Sequence, residues 1–267
     1  MVKIKAFLLP LMLLTGINLL PGQESPFLFV AHRGASYLAP ENTLASINLA
    51  WEIGADAAEC DVMLTADNRV ILFHDSNAKK LTGEDLLIRE TPWEQLRELI
   101  IRPRETNRPE YSSERIPLLE EVLAIVPVDR MLVIEIKTGP EILPHLEEVV
   151  DEYWKSGRIC FIAFDFETIR TAKTLYPDVP CYYLSAFRGD VKRHVKPAAE
   201  HGLDGLDLSA AIITRKMAAR CREAGLDLWC WTVNQPDKAS RMKHLGVTAV
   251  TTDRPKWLRE QMSGPGF

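Results

Sequence analysis

The chain has 267 residues, of which 46% are hydrophobic and 26% charged, and its formal net charge is −5 at pH 7. This length suits either one large α/β barrel or two smaller domains of ordinary globular composition. The mild acidity argues against a nucleic-acid-binding protein, which would normally present a basic surface.

Residues 1–25 differ from the rest of the chain. Lys3 and Lys5 precede the apolar run AFLLPLMLLTGINLL, and the polar stretch Pro21-Gly22-Gln23 follows it. This is the layout of a secretory signal peptide, so we expect export to the periplasm or the medium and no membrane span in the mature chain, residues 26–267. The alternatives are a membrane anchor formed by an uncleaved N-terminal segment and an apolar helix packed on the domain.

The next stretch predicts a strand, a helix and a second strand. PFLFVAHRG reads as a buried strand that ends in a polar loop with His32 and Arg33, and ENTLASINLAWEIGA has helical periodicity. DAAECDV predicts the second strand, on which Glu59 and Asp61 project to one face because they are two residues apart. Two acids on one face repel each other unless a cation lies between them.

A β-hairpin is expected after this second strand. The segment 66–69 has turn composition and VILF predicts the return strand, which is too close in sequence for a parallel crossover. A turn about Asp67 and Asn68 would place Met63 opposite Leu72 and Asp61 opposite His74. This register would bring a histidine to the pair of acids.

A long irregular segment follows the hairpin. Residues 77–130 are charged, contain proline and are only locally periodic, and the part at about 78–116 is expected to be an insertion. A loop of this length in a compact domain is usually functional, so we expect it to influence substrate selectivity. PLLEEVL at 117–123 then predicts a helix introduced by Pro117.

The remainder alternates strands with helices, which are predicted at 141–156, 166–176, 190–202, 214–224 and 236–245. On the strand MLVIEIK, Glu135 and Lys137 share one face. Without the hairpin return, the chain contains eight parallel strands, which begin near Phe27, Ala57, Met131, Ile159, Pro180, Gly205, Asp227 and Val247. Eight β/α units predict a single closed (β/α)8 TIM barrel with functional groups at the C-terminal ends of its strands.

Several short motifs occur in a fixed order along residues 28–258. They are HRG at 32–34, PENT at 40–43, ECD at 59–61, HD at 74–75, PLLEEVL at 117–123, EIK at 135–137, WTVN at 231–234 and TDRP at 252–255. In this order the chain resembles the glycerophosphodiester phosphodiesterase family. The resemblance implies a barrel of the phospholipase C-like phosphodiesterase type, a glycerophosphodiester substrate and sn-glycerol 3-phosphate as a product.

The acids predict a metal site. Glu59, Asp61 and Glu135 supply three oxygen ligands and no thiolate, which suits Ca²⁺ or Mg²⁺ better than zinc. The resemblance also implies a divalent cation at these three positions. The alternative is that the acids form ion pairs with Arg33 and Lys137, although three acids against two bases leave one charge uncompensated.

The remaining candidate residues suit the binding and cleavage of a phosphodiester. His32 and His74 suit general acid and base catalysis, and by resemblance they are the catalytic pair; the alternative is a pair of hydrogen-bonded structural residues. Arg33 and Lys137 are natural phosphate contacts, or else ion-pair partners of the acids. Trp231 could form an apolar wall for the substrate, or could belong to the core.

We therefore expect metal-assisted hydrolysis of a small glycerophosphodiester to sn-glycerol 3-phosphate and an alcohol. A lysophospholipase D-like activity on the same barrel is the first alternative, and a wide apolar mouth formed by the insertion would favour it. A phosphate-ester-binding protein without catalytic activity is the second. The sequence does not indicate the oligomeric state or which histidine is the acid.

Overall fold

The computed structural model of the chain describes residues 26–188 and 192–264. The predicted signal segment lies outside these ranges, as do residues 190 and 191 at the start of the helix predicted over 190–202. Among the described residues, no helix has both the length and the apolar character needed to cross a membrane.

Eight parallel strands close into a barrel, as the sequence predicts. The first strand pairs with both the second and the last, which closes the sheet. In chain order the strands are β1 Leu28–Ala31, β2 Ala57–Leu64, β3 Val70–Leu72, β4 Met131–Ile136, β5 Arg158–Ala163, β6 Cys181–Ser185, β7 Gly205–Ser209, β8 Asp227–Trp231 and β9 Ala249–Thr252. β3 is the additional strand of the hairpin, and the other eight begin at most two residues from their predicted starts.

Helices alternate with the strands and pack on the outside of the barrel. They are α1 Leu44–Glu52, α2 Lys79–Thr82, α3 Trp93–Leu96, α4 Leu119–Leu123, α5 Leu143–Tyr153, α6 Phe166–Leu175, α7 Lys192–Glu200, α8 Arg215–Glu223, α9 Pro236–His244 and α10 Pro255–Met262. Three short 3₁₀ helices lie at Ile88–Glu90, Pro109–Tyr111 and Pro140–Ile142. The sequence analysis did not predict α2, α3 or α10.

Two apolar layers hold the barrel together. The larger lies between the strands and the surrounding helices, and it includes Ile47 of α1 and Phe161 of β5. The smaller fills the barrel interior with side chains that alternate along the strands: Val30, Ala57, Met131, Val133, Cys160, Ile162, Tyr182, Leu184, Trp229 and Ala249. The packed interior closes the lower part of the barrel and leaves its C-terminal face for polar groups.

The predicted hairpin is present, but its predicted register is wrong by one residue. Leu64 lies opposite Val70 and Val62 opposite Leu72. The turn contains one residue more than expected because Asn68 adopts the left-handed conformation (φ 60°) and Thr65 closes the loop onto Arg69. Asp61 therefore faces Phe73 at the ladder end, where the Phe73 amide donates to the Asp61 carbonyl at 3.0 Å.

The insertion forms a small lobe beside the hairpin. Its apolar side chains pack against the hairpin in a separate cluster that consists of Met63, Ile71, Phe73, Ala78, Leu81, Ile88, Trp93, Leu96, Ile101, Ile116 and Leu118. Most apolar side chains of the insertion are thus turned inward, although Leu87 and Ile100 are exposed at 43% and 46%.

The turn after β1 depends on a glycine. Gly34 has a φ of +75°, and a Cβ there would lie 2.5 Å from the backbone carbon of Ser46. Its amide donates to the Glu59 carbonyl at 2.9 Å, which holds the turn against β2. The turn thus positions the preceding residue, Arg33, which itself has a φ of 54°.

We expect Gly34→Ala to lower the free energy of unfolding by about 3 kcal/mol, because backbone strain and overpacking act together. Gly54→Ala is the matched control, since Gly54 has a φ of +83° but no atom within 4 Å of the added Cβ. That variant should lose only about 1 kcal/mol from strain. Urea denaturation measures both, and equal losses would contradict the role given to the close approach at Gly34.

Candidate active site

A cavity of about 230 Å³ opens at the C-terminal end of the barrel strands. It contains all eight predicted site residues except Asp61, which lies just behind its wall. The lining residues are His32, Arg33, Glu59, His74, Glu135, Lys137, Ile162, Phe164, Leu184, Asp207, Trp231, Thr232 and Thr251. None of these residues comes from the insertion at 78–116, so the described structure does not support the expected role of the insertion in lining the substrate site.

Three carboxylates form a cluster on one side of this cavity. One oxygen from each of Glu59, Asp61 and Glu135 lies within 4.8 Å of the other two. Glu59 and Asp61 are 2% and 1% exposed, and the Cα of Asp61 is paired with that of Glu135 in the sheet. Neighbouring parallel strands therefore bring together acids that are distant in sequence.

The donors around the cluster leave room for a cation. The Arg33 amide donates to Glu59 Oε2 at 2.7 Å, but Glu59 Oε1 is buried without a hydrogen-bond partner among the residues that the structure describes. Asn42 binds Asp61 twice, since its side-chain amide donates to Asp61 Oδ2 at 2.8 Å and its Oδ1 accepts from the Asp61 amide at 3.0 Å. A buried, unpartnered carboxylate oxygen beside two further acids fits a hard divalent cation.

The ion pairs considered from the sequence also occur. Arg33 Nε lies 3.3 Å from Asp61 Oδ2, and Lys137 Nζ lies 2.7 Å from Glu135 Oε1 and 3.6 Å from Asp61 Oδ1. Burial disfavours the charge on Lys137, but Glu135 and Asp61 together raise its pKa. Lys137 is therefore a stable cation at the mouth of the acid cluster.

The two positive charges of Arg33 and Lys137 do not balance the charges of three ionised carboxylates. Burial, followed by repulsion from Asp61 and Glu135, raises the pKa of Glu59 well above its ordinary value. Burial and Asp61 likewise raise the pKa of Glu135, although Lys137 opposes this. Ionisation of all three acids is therefore unfavourable in the cluster, and a bound cation would relieve the repulsion.

His32 is held by a carboxylate that the sequence analysis did not assign. Its Nδ1 lies 2.7 Å from Asp253 Oδ1, just beyond β9. Asn234 fixes that carboxylate, because its side-chain amide donates to Asp253 Oδ2 at 2.6 Å and its Oδ1 accepts from the Asp253 amide at 2.9 Å. Burial opposes the charge on Asp253, but the contact with His32 lowers its pKa. The ionised carboxylate therefore directs Nε2 of His32 away from itself.

We expect Asp253→Asn to lower kcat by about 10- to 100-fold with little change in KM, since the ring remains but its preferred tautomer is lost. Steady-state kinetics measure this effect. Asp237→Asn, on the surface of α9, is the matched control. A loss confined to KM would contradict an orienting role for Asp253.

His74 follows the hairpin strand and has a partner of its own. Its Nδ1 lies 2.6 Å from Asp75 Oδ1. Burial, together with the nearby positive charges of Arg33 and Lys137, lowers the pKa of His74, although Asp61 and Asp75 oppose this. His32 and His74 therefore share one arrangement, with Nδ1 on a carboxylate and the ring at the same cavity.

Aromatic side chains form the opposite wall. The rings of Phe164 and Trp231 meet edge to face at 5.5 Å, and Lys137 Nζ lies 5.7 Å from the Phe164 ring centre. The indole of Trp231 donates to the backbone carbonyl of Asp207 at 3.2 Å. Trp231 is half-buried, lines the cavity and also packs against the apolar interior of the barrel, so its role as a wall for the substrate stays a prediction.

The PENT segment, residues 40–43, both caps a helix and supports the site. Thr43 is the N-cap of α1. Glu41 instead binds the Arg33 guanidinium at 2.6 Å and also pairs with Arg104 of the insertion. Asn42 and Glu41 thus hold Asp61 and Arg33 in place, which the proximity of PENT to HRG in sequence could have suggested.

Comparisons with known proteins show the family of the chain. The model of the glycerophosphoryl diester phosphodiesterase family matches residues 32–257. The YhdW protein of Bacillus subtilis (strain 168) is 30% identical over 233 residues, which cover 86% of this chain and 95% of that protein. A glycerophosphodiester phosphodiesterase of Caldanaerobacter subterraneus subsp. tengcongensis is 29% identical over 236 residues, with 86% and 96% covered.

A solved structure is also similar over most of the chain. It is a phosphodiesterase of Oleispira antarctica in complex with the product sn-glycerol-3-phosphate. The sequences are 27% identical, the TM-score is 0.82, and the match covers 90% of this chain and 98% of the other.

Proposed function

We propose the reaction of this chain from its family: it belongs to the glycerophosphoryl diester phosphodiesterase family and is thus a phosphodiesterase. The proposed reaction is the hydrolysis of small glycerophosphodiesters to sn-glycerol 3-phosphate and an alcohol. The observation that carries the proposal is the single cavity that joins three clustered carboxylates, two carboxylate-bound histidines and two cationic side chains. The products fit this chemistry, because each group has a task in cleaving a charged phosphodiester.

Glu59, Asp61 and Glu135 would hold Ca²⁺ or Mg²⁺, because their hard oxygens and the unpartnered Glu59 Oε1 suit such a cation. When bound, the cation supplies positive charge that polarises the phosphoryl group. The amide of Arg33 and the side chain of Asn42 keep two of these carboxylates aimed at one point.

The two histidines move the protons. One accepts the proton of the attacking hydroxyl or water, and the other donates a proton to the oxygen of the departing alcohol. In both, the carboxylate at Nδ1 favours the tautomer that leaves Nε2 free to act on the substrate.

The phosphate is held by charge and the carbon chain by packing. Arg33 offers guanidinium donors and Lys137 a point charge to the phosphate oxygens, which become more negative as the bond breaks. The half-buried Trp231 and the ring of Phe164 provide an apolar contact for the substrate carbons.

The lysophospholipase D alternative receives no specific support from the cavity. Most apolar side chains of the insertion pack into their own cluster, and the described lining of the cavity includes none of the insertion residues. A non-catalytic binding protein would not require two carboxylate-oriented histidines.

Release of glycerol 3-phosphate from glycerophosphocholine by the purified protein tests the proposed activity, beside lysophosphatidylcholine as the competing substrate. We expect turnover of glycerophosphocholine with a kcat/KM at least about tenfold higher. Preferential cleavage of lysophosphatidylcholine would overturn the substrate assignment, and binding of both without cleavage would support the binding protein.

We also propose that residues 1–25 direct export of the protein. The basic start and short apolar run of this segment support the proposal. Fractionation of cells that produce the full chain should find it outside the cytoplasm, whereas retention in the cytoplasm would contradict export.

A further inference from the structure

Asp207 is a buried acid in the active-site cavity that the proposed mechanism does not use. It lies in the middle of β7, where its Cα is paired with those of Leu184 and Trp229. The residue is 1% exposed, yet it lines the same cavity as His32 and Glu135. A carboxyl group inside a barrel is costly unless its oxygens have partners.

One oxygen of this carboxyl group has no partner. Asp207 Oδ1 is buried and accepts no hydrogen bond from the described residues. Asp227, an acid at the start of β8, provides the contrast: its oxygens accept from the Tyr182 hydroxyl, the Trp229 indole, the Leu228 amide and the Thr248 hydroxyl. Asp227 is a satisfied structural acid, whereas Asp207 retains unused hydrogen-bonding capacity.

The metal cluster does not account for this residue. The oxygens that approach one another within 4.8 Å come from Glu59, Asp61 and Glu135, and Asp207 is not in that group. Burial first, and then the charge of Glu135, raises the pKa of Asp207 well above its ordinary value. What carries the inference is the geometry: a carboxyl group on the cavity wall, outside the acid cluster, with an oxygen that can pair with a hydroxyl group.

We propose that Asp207 is a specificity-determining residue that binds a hydroxyl group of the substrate's glycerol moiety. The inference rests on the proposed function. The glycerol end is assigned here because Asp207 is 1% exposed, while Phe164, which lines the same cavity, is 44% exposed and marks the side open to a variable alcohol. Recognition of a substrate hydroxyl in a site that excludes water requires a protein side chain that forms a hydrogen bond with it.

The test crosses two variants with three substrates. The substrates are glycerophosphocholine and two analogues in which 1,2-propanediol or 1,3-propanediol replaces glycerol, so that each lacks one hydroxyl. The variants are Asp207→Leu, which removes the hydrogen bond, and Asp207→Asn, which retains one. Asp227→Asn is the matched control, a half-buried acid on the adjacent strand that does not line the cavity.

For Asp207→Leu we expect kcat/KM for glycerophosphocholine to fall by roughly 10- to 100-fold. For one of the two analogues, the same variant should lose almost nothing relative to the wild type, because the partner hydroxyl is already absent. Asp207→Asn should retain most of the discrimination. Thermal unfolding of Asp207→Leu should occur at or above the wild-type temperature, since an unsatisfied buried polar group has been removed.

Each other outcome contradicts the inference. An equal loss on all three substrates, or a lowered unfolding temperature together with that loss, would assign Asp207 a structural role. Unchanged kinetics would exclude contact with the substrate. If the wild type hydrolyses none of the three compounds, the proposed function itself fails and the inference falls with it; if the wild type is active and only the analogue pattern is absent, the inference alone fails.

Discussion

Replacement of His74 by alanine should lower kcat/KM for glycerophosphocholine by about 10²- to 10⁴-fold, the usual contribution of a general acid or base. His32→Ala should cause a loss of the same order, because both rings lie at one cavity and are oriented through Nδ1. Both variants should unfold near the wild-type temperature, since each ring is only partly buried. Initial rates at saturating and limiting substrate measure the effect.

The control for both is His244→Ala, an exposed histidine on α9 whose ring contacts Ser240 of the same helix. It should retain full activity. If the double variant of His32 and His74 is no slower than either single variant, the two act in one concerted proton transfer, and the single losses are not additive. Activity of more than about a tenth of the wild type in either single variant would contradict the acid–base account.

Replacement of Glu59 by glutamine should abolish the response to a divalent cation. In the wild type, Ca²⁺ or Mg²⁺ at about 100 times its Kd should raise the free energy of unfolding by about 2.7 kcal/mol, because the cation binds only the folded cluster. The variant should show little of this gain, since one of three clustered ligands has lost its charge. Thermal unfolding with each cation and with chelator measures the difference, and Glu260→Gln on the exposed face of α10 is the control.

In the metal-free protein, we expect Glu59→Gln to raise the free energy of unfolding rather than to lower it. Because burial raises the pKa of Glu59 in the folded state, the folded protein holds this proton more tightly than the unfolded chain. Stability must therefore fall as the pH rises above the unfolded pKa of about 4.3. Glu59→Gln removes this loss, so at pH 8 with chelator it should be more stable than the wild type by about 1–4 kcal/mol. Lower stability of the variant under these conditions would contradict the unfavourable ionisation of all three acids in the cluster.

The barrel could be predicted because its signals are local and repeated. Each parallel strand is a short apolar run, and the alternation with helices leaves few other topologies. The cluster of acids could also be predicted from the sequence, since residues two apart on a strand share a face and the C-terminal ends of parallel strands meet at one end of the barrel. This reasoning places Glu59, Asp61 and Glu135 together although 74 residues separate Asp61 from Glu135.

The features that could not be predicted depend on local turn geometry or on contacts between segments that are distant in sequence. The hairpin register is set by the left-handed Asn68, and turn composition alone does not distinguish a two-residue from a three-residue loop. Asp253 follows β9 and Asp207 lies on β7, both remote in sequence from His32 and Glu135, so only the closed barrel brings them to the same cavity region. The inward packing of the insertion likewise follows from its contacts with the hairpin rather than from its charged composition.

The most direct test of the account is the release of glycerol 3-phosphate from glycerophosphocholine by the chelator-treated protein, before and after addition of Ca²⁺ or Mg²⁺, beside Glu59→Gln. The account predicts almost no release with chelator, recovery with at least one cation in the wild type, and no recovery in the variant. Undiminished release in the presence of chelator, or equal recovery in Glu59→Gln, would contradict the claim that a cation held by the three carboxylates drives the hydrolysis.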